Sequence, residues 1–297
     1  MARLFRIPPR ALVLTIAAVA TGAVFQIGPA VSAAGGPFLS HQALYELNLV
    51  KSRGSNAISG ARGRILYNFS GSACEGYTSE FRQESELNSG EGKLTLSDLR
   101  SSSWEEGGGG RYRFTISNYK DQEQTDATVG NAARTSEKPD AAKPEVDVEL
   151  TKPKSAKMKL PGKVVFPVQH SIMLIDAAEA NRTVLEADLY DGSEKGEKVY
   201  VTTAVIGKSV KAAPISIAAK VKNAEKLAGL PSWPVAISYF DQGKEKEDAL
   251  PVYEIAFRYY ANGVSENLTI DYGEFSIKGA LKEIEFYDPP KCEPEKK

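Results

Sequence analysis

The stretch Tyr45-Glu46-Leu47-Asn48-Leu49 decides how this chain folds. Large apolar residues stand at every second position with polar ones between, the two-residue period of a strand that buries one face. The alternation returns in Ile65, Tyr67 and Phe69, and again in Tyr112, Phe114 and Ile116. Between these runs lie Gly54-Ser55-Asn56, Gly71-Ser72, Ser89-Gly90-Glu91-Gly92 and Gly107 to Gly110, which let the chain reverse. From Leu44 to Asn118 the sequence therefore reads as an antiparallel meander.

Further on, Asp121 to Pro144 is rich in Ala, Thr and charge with no sustained period, and reads as a long loop inside one fold. Val146, Val148 and Leu150 resume the alternation. His170 to Ala180 is the best helix, with Ile172, Met173, Ile175 and Ala180 on one face and Pro167 suited to its start. A second short helix is expected at Asn223 to Leu227. Tyr253, Ile255, Phe257 and Tyr259 then alternate up to Asn262-Gly263, a two-residue hairpin signal, and Leu268, Ile270 and Tyr272 run back. The class is mainly β, one large antiparallel sheet with one or two short helices.

Working toward the start, Arg3, Arg6 and Arg10 precede the uncharged run Ala11 to Phe25, and Val31-Ser32-Ala33-Ala34 offers small residues for cleavage. This is the pattern of a secretory signal peptide over 1–34, leaving a single periplasmic domain over 35–297. An uncleaved anchor is the rival reading, but a span of the bilayer needs ~20 apolar residues. The chain has 37 basic and 38 acidic residues, so losing those three arginines leaves 34 against 38. Basic and acidic residues are interleaved, which argues against a nucleic-acid partner.

Cys74 and Cys292 are the two cysteines, and in an oxidising compartment they are expected to pair. The alternative is two unpaired thiols. A bridge closing ~220 residues would restrict the unfolded chain by up to ~5 kcal/mol.

No catalytic or metal constellation is legible. His41 and His170 have no ligand at metal-binding spacing and read as structural, and no G-x-S-x-G elbow is present. Glu105 and Glu106 beside Trp104 are the best carboxylates for a glycosidase, yet Gly107 to Gly110 follows them, which suggests an exposed hairpin end. No cofactor is expected. Tyr239, Tyr253, Phe257, Tyr259 and Tyr272 fall on strands; they line a groove if the sheet curls incompletely, and otherwise form core.

A family resemblance rests on Phe166-Pro167-Val168-Gln169-His170, Asp188-Leu189-Tyr190-Asp191-Gly192-Ser193, Trp233-Pro234-Val235-Ala236-Ile237-Ser238-Tyr239-Phe240 and Asn262-Gly263-Val264-Ser265. Together with Ser40 to Tyr45 and both cysteine positions, these segments resemble the EipB family of alphaproteobacterial periplasmic proteins. The resemblance implies a sheet curled into a β-spiral or half-open barrel, closed by a disulfide between an early and a late cysteine. It also implies an architecture similar to lipoprotein carriers and sensors, and a role in envelope integrity without established enzymatic activity. Three functions follow in order: binding or scaffolding an envelope or periplasmic protein partner, carrying or sensing a lipid or lipoprotein acyl chain, and hydrolysing envelope polysaccharide.

Overall fold

A computed structural model of the protein describes residues 38–53, 58–89, 92–135, 145–210, 221–242 and 250–288. The expected leader at 1–34, the turn at 54–56 and Cys292 lie outside the described residues. So do residues 136–144 of the expected loop.

Eight strands form the first arm: β1 (His41–Ser52), β2 (Ile58–Ser72), β3 (Gly76–Ser89), β4 (Leu94–Glu105), β5 (Arg111–Lys120), β6 (Glu123–Arg134), β7 (Glu145–Lys152) and β8 (Ala156–Pro161). Helix α1 (Pro167–Glu179) follows. The second arm is β9 (Val184–Leu189), β10 (Tyr200–Ile206), β11 (Ser232–Asp241), β12 (Tyr253–Tyr260), β13 (Ser265–Asp271) and β14 (Phe275–Phe286). All fourteen make one antiparallel sheet in the order β8-β7-β6-β5-β4-β3-β2-β1-β14-β13-β12-β11-β10-β9. Each neighbour is the next strand in sequence except at β1 and β14, where His41 pairs with Phe286 and Leu47 with Gly279. The strip does not close. Its edges are β8 and β9, and the segment that follows β8 touches β9 through a single parallel bridge between Val165 and Leu189.

Register places the alternating apolar residues on one face. Tyr45 opposes Ile65, Phe114 opposes Gly130, and Ile237 opposes both Ala204 and Ile255. Helix α1 packs on this face through Leu174, Ile175, Ala177 and Ala178, touching a cluster that contains Phe69 and Tyr77 of the first arm and Tyr200, Trp233 and Val235 of the second. A helix covered by the same face of both arms requires the sheet to wrap around it, so this face is concave. The second expected helix is a short 3-10 turn, Ala224–Leu227. It follows Lys222, which bridges Glu283 of β14, beyond the stretch that the short β13 covers.

The expected long loop at 121–144 is corrected, because residues 123–134 of it form β6. Asp121 and Gln122 both take positive φ and make the two-residue turn into that strand. Its apolar signal is faint because its inward positions must be small. A side chain at Gly130 would begin 2.7 Å from Leu150, 2.8 Å from the Phe114 ring and 2.9 Å from the Glu149 carbonyl oxygen. Gly130→Val is thus expected to destabilise the protein by ~1–3 kcal/mol through overpacking, measured by denaturant unfolding. An unchanged midpoint would contradict this packing.

Candidate functional site

The interior of the curl is governed by how α1 is anchored. Phe166 at its N-terminus provides no side-chain cap and the first turn carries no acid, so its free backbone N–H groups need another acceptor. Glu105, the last residue of β4, supplies it. Its carboxylate accepts from the N–H of Val168 at 2.7 Å and from that of Gln169 at 2.8 Å. The side chain is 1% exposed and lies in register between Tyr77 and Tyr112. Burial pushes its pKa up to about 7, against the lowering effect of the two amides and of Arg134.

Arg134, at the end of β6, fixes the approach to the helix. It donates to the carbonyls of Gly109, Gly162 and Val164 at 2.9, 2.6 and 2.6 Å, and its guanidinium stands 5.2 Å from the Phe166 ring. An acid and a base from the sheet therefore hold the start of α1 in place. This corrects the expectation of an exposed hairpin end at Glu105. Glu106 does face outward, where it pairs with Arg111 at 2.6 Å, so the two carboxylates have separate partners and share no cleft. Gly107 to Gly110 form the expected turn between β4 and β5.

Both histidines are structural in these surroundings. His170 Nε2 lies 3.1 Å from the Thr202 hydroxyl, which donates in turn to the Ala187 carbonyl at 2.9 Å. The imidazole is therefore the donor to Thr202. Burial lowers the His170 pKa to about 4. His41 Nδ1 donates to the Leu39 carbonyl at 2.7 Å, and burial lowers its pKa as well. Among the described residues no group of three or more His, Cys, Asp or Glu side chains is arranged to hold a metal.

Of the five aromatic residues expected to line a groove, Tyr239, Tyr253, Phe257 and Tyr259 belong to the core cluster around α1, and Tyr272 lies beyond it. Tyr239 stacks on Tyr253 with ring centroids 4.3 Å apart, and Tyr253 leads to Tyr272 at 6.5 Å, which meets Phe275 at 5.0 Å. Phe257 and Tyr259 pack edge to face within the cluster around α1 and belong to the core. The row from Tyr239 to Tyr272 runs from that core to the open end of the curl. There Tyr272 is 38% exposed and lines a cavity of about 170 Å³ with Gln83, Ser85, Leu87, Phe275 and Ile277. Leu250 and Val252, just before β12, are exposed at the same end. A smaller cavity of about 60 Å³ lies by Phe38, Phe69, Val168 and Tyr259.

Sequence reasoning missed Glu105 as the helix anchor, although its phase was readable. It falls in step with the inward residues Ser101 and Ser103, whereas Trp104 and Glu106 fall between them. Cys74 sits in the turn between β2 and β3, at the end of the sheet where β14 finishes, since His41 pairs with both Phe69 and Phe286.

Against known proteins, the family model described as EipB-like matches residues 32–288. The cell envelope integrity protein EipB of Brucella abortus (strain 2308) is 36% identical over 281 residues, 93% of this chain and 96% of that protein. The crystal structure of a beta-barrel-like protein of a domain of unknown function from Brucella abortus is similar, with a TM-score of 0.75 and 34% identity. The match covers 86% of this chain and 100% of that one.

Proposed function

The chain belongs to the EipB-like family, and we propose from that premise that it is a non-enzymatic periplasmic protein which supports cell-envelope integrity by binding or scaffolding a protein partner. The observation that carries this reading is the occupied interior. Helix α1 fills the concave face, and the cavity left at the mouth, about 170 Å³, is below the ~300 Å³ at which pockets for sizeable ligands begin. Such a space suits one inserted apolar side chain of a partner. Tyr272 on its lining, and Leu250 and Val252 exposed at the same end of the sheet, supply apolar surface of the kind interfaces cover. Among the described residues no helix is long and apolar enough to cross a membrane.

The runner-up, a carrier of a lipid or lipoprotein acyl chain, would require α1 to leave its place. Native mass spectrometry of protein purified from its own compartment separates the two readings. The expected result is the mass of the polypeptide alone, together with protein adducts from a photocrosslinker installed at Leu250. A retained acyl-chain mass would sink the scaffolding reading in favour of the carrier.

We extend the proposal to a disulfide between Cys74 and Cys292. It is supported by the position of Cys74 at the sheet end where β14 runs out. From Phe286, the six residues to Cys292 can reach up to ~20 Å, and the β2–β3 hairpin lies only ~10–15 Å away, two to three strand spacings.

A further inference from the structure

The convex face of the sheet carries a second concavity, on the opposite side from the mouth. It is a trough of about 790 Å³ crossing β1, β2, β3 and β4, within the size range of ligand sites. Its floor is the backbone of four residues in register, Leu47, Gly63, Ser85 and Ser97. One wall is the row Glu46, Arg64, Glu84 and Asp98; the other is Asn48, Arg62, Glu86 and Leu96.

The charges are layered by depth. Arg62 and Arg64 are 76% and 66% exposed, while their partners Glu86 and Glu84 are 35% and 31% exposed. Asp98, at 19%, lies beneath Arg82 and Arg100. Those two arginines oppose each other directly across β3 and β4, an arrangement of like charges that is unfavourable on a sheet unless a counter-ion sits between them. Asp98 fills that place, accepting from both guanidiniums at 2.8 and 2.7 Å. Arg100 also lies over the Tyr119 ring at 4.6 Å. Because Glu46 is paired with Lys282, the trough presents four guanidiniums above three deeper carboxylates, a net charge of one positive.

Bond usage distinguishes this array from a stabilising ladder of ion pairs. Arg62 engages Glu86 through Nε at 2.6 Å, and Arg64 engages Glu84 through Nε at 2.5 Å. Each guanidinium is thereby oriented, and among the described residues its terminal nitrogens make no hydrogen bond, which leaves the fork that takes an oxyanion with two parallel hydrogen bonds. The two forks stand two residues apart on one strand face, ~7 Å. We propose that the trough binds a phosphate-bearing ligand, with Arg62 and Arg64 gripping the oxyanions end-on and Arg82 and Arg100 completing the positive wall. The spacing suits a diphosphate or two neighbouring phosphate headgroups.

The test uses the full-length mature protein at low salt with two probes, inorganic pyrophosphate by calorimetry and vesicles of phosphatidylglycerol against phosphatidylcholine by co-sedimentation. Binding of pyrophosphate alone would assign a soluble phosphate ligand, and binding of the phosphatidylglycerol vesicles a headgroup; either supports the site. The double variant Arg62→Gln with Arg64→Gln should weaken whichever probe binds by about tenfold or more, the loss of a charge-assisted bidentate contact. Arg62→Lys with Arg64→Lys keeps the charge but not the fork, and should lose most of the same affinity. Leu96→Glu adds a carboxylate to the wall opposite Glu86, removes no arginine, and should also weaken binding. Binding of neither probe, or lysine variants that bind as the parent does, would overturn the proposal.

Discussion

Glu105→Ala is expected to lower the unfolding free energy by about 3 kcal/mol at neutral pH, among the largest effects of any single substitution in this protein. The change leaves the N–H groups of Val168 and Gln169 without their acceptor in a buried place and opens a void between Tyr77 and Tyr112. Each unpaired buried donor costs ~1–3 kcal/mol, and loss of a helix cap typically costs ~1. Glu105→Gln keeps an acceptor oxygen and the volume, so it should cost less, and the two variants together separate the hydrogen bonds from the charge.

The charge has a pH signature. The Glu105 pKa rises from its ordinary value of 4.5 to about 7 in the folded protein, so between those limits the folded state holds the proton more tightly than the unfolded chain. The stability this group contributes is present below pH 4.5 and is lost as pH rises through about 7. His170 acts in the opposite sense. Its pKa falls from 6.5 to about 4, so its contribution is present above pH 6.5 and is lost as pH falls through about 4, and His41 shifts in the same direction. The raw melting profile mixes these effects, whereas the difference between parent and Glu105→Gln isolates Glu105. That difference should move in favour of Glu105→Gln as pH rises from 5 to 8. A flat difference across the window would show that the carboxylate does not titrate there. Tyr67, Tyr77, Tyr112 and Arg134 are the other titratable groups that interact with it, and the tyrosines are pushed upward, away from this window.

The second large effect concerns the cysteines. Cys74→Ser and Cys292→Ser should each destabilise the oxidised protein by ~2–5 kcal/mol, and the double variant by little more, because either change removes the same bond. Thiol labelling of denatured, unreduced protein from its own compartment should find no reactive sulfur. Two reactive thiols would refute the bridge. Unchanged melting in both single variants would refute its role. The effect should reside in the C-terminal end, where Tyr287 donates to the Ser40 carbonyl at 2.9 Å and Pro289 and Pro290 follow, which cannot extend the sheet ladder as donors.

Most strands were legible because their inward residues are large. Tyr45 and Leu47, or Ile255 and Phe257, announce a buried face by themselves, and Asn262-Gly263 marks a hairpin, although its loop is three residues, Ala261 to Gly263, rather than the expected two, with a φ of +86° at Gly263. Helix α1 was found within a few residues, Pro167 marking its first position. What escaped was written in small or polar residues whose meaning depends on what stands opposite. Gly130 and Ala132 are small because Phe114, Tyr112 and Leu150 fill the space across from them. Glu105 looked like a surface carboxylate until the first turn of α1 was placed against it. Of the aromatic candidates, Tyr272 lines the mouth, while Tyr239, Tyr253, Phe257 and Tyr259 were drawn into the core around the helix. The charged trough was invisible because Arg62 and Arg64 on β2, and Glu84 and Glu86 on β3, read as ordinary solvated surface until the depth of each charge is known.

The pairing of β1 with β14 also dictates the order in which the structure can be assembled. Every other neighbour in the sheet is the next strand along the chain, so twelve of the thirteen junctions can zip between consecutive strands as soon as both members exist. The junction of His41 with Phe286 spans nearly the entire chain and must wait for the last strand to emerge. A polypeptide delivered from its N-terminus thus holds one side of β1 as a bare edge throughout synthesis, with Tyr45 and Leu47 on a strand open to pairing with another chain. Until β14 arrives, that one side of β1 is the place where a wrong partner could enter the sheet.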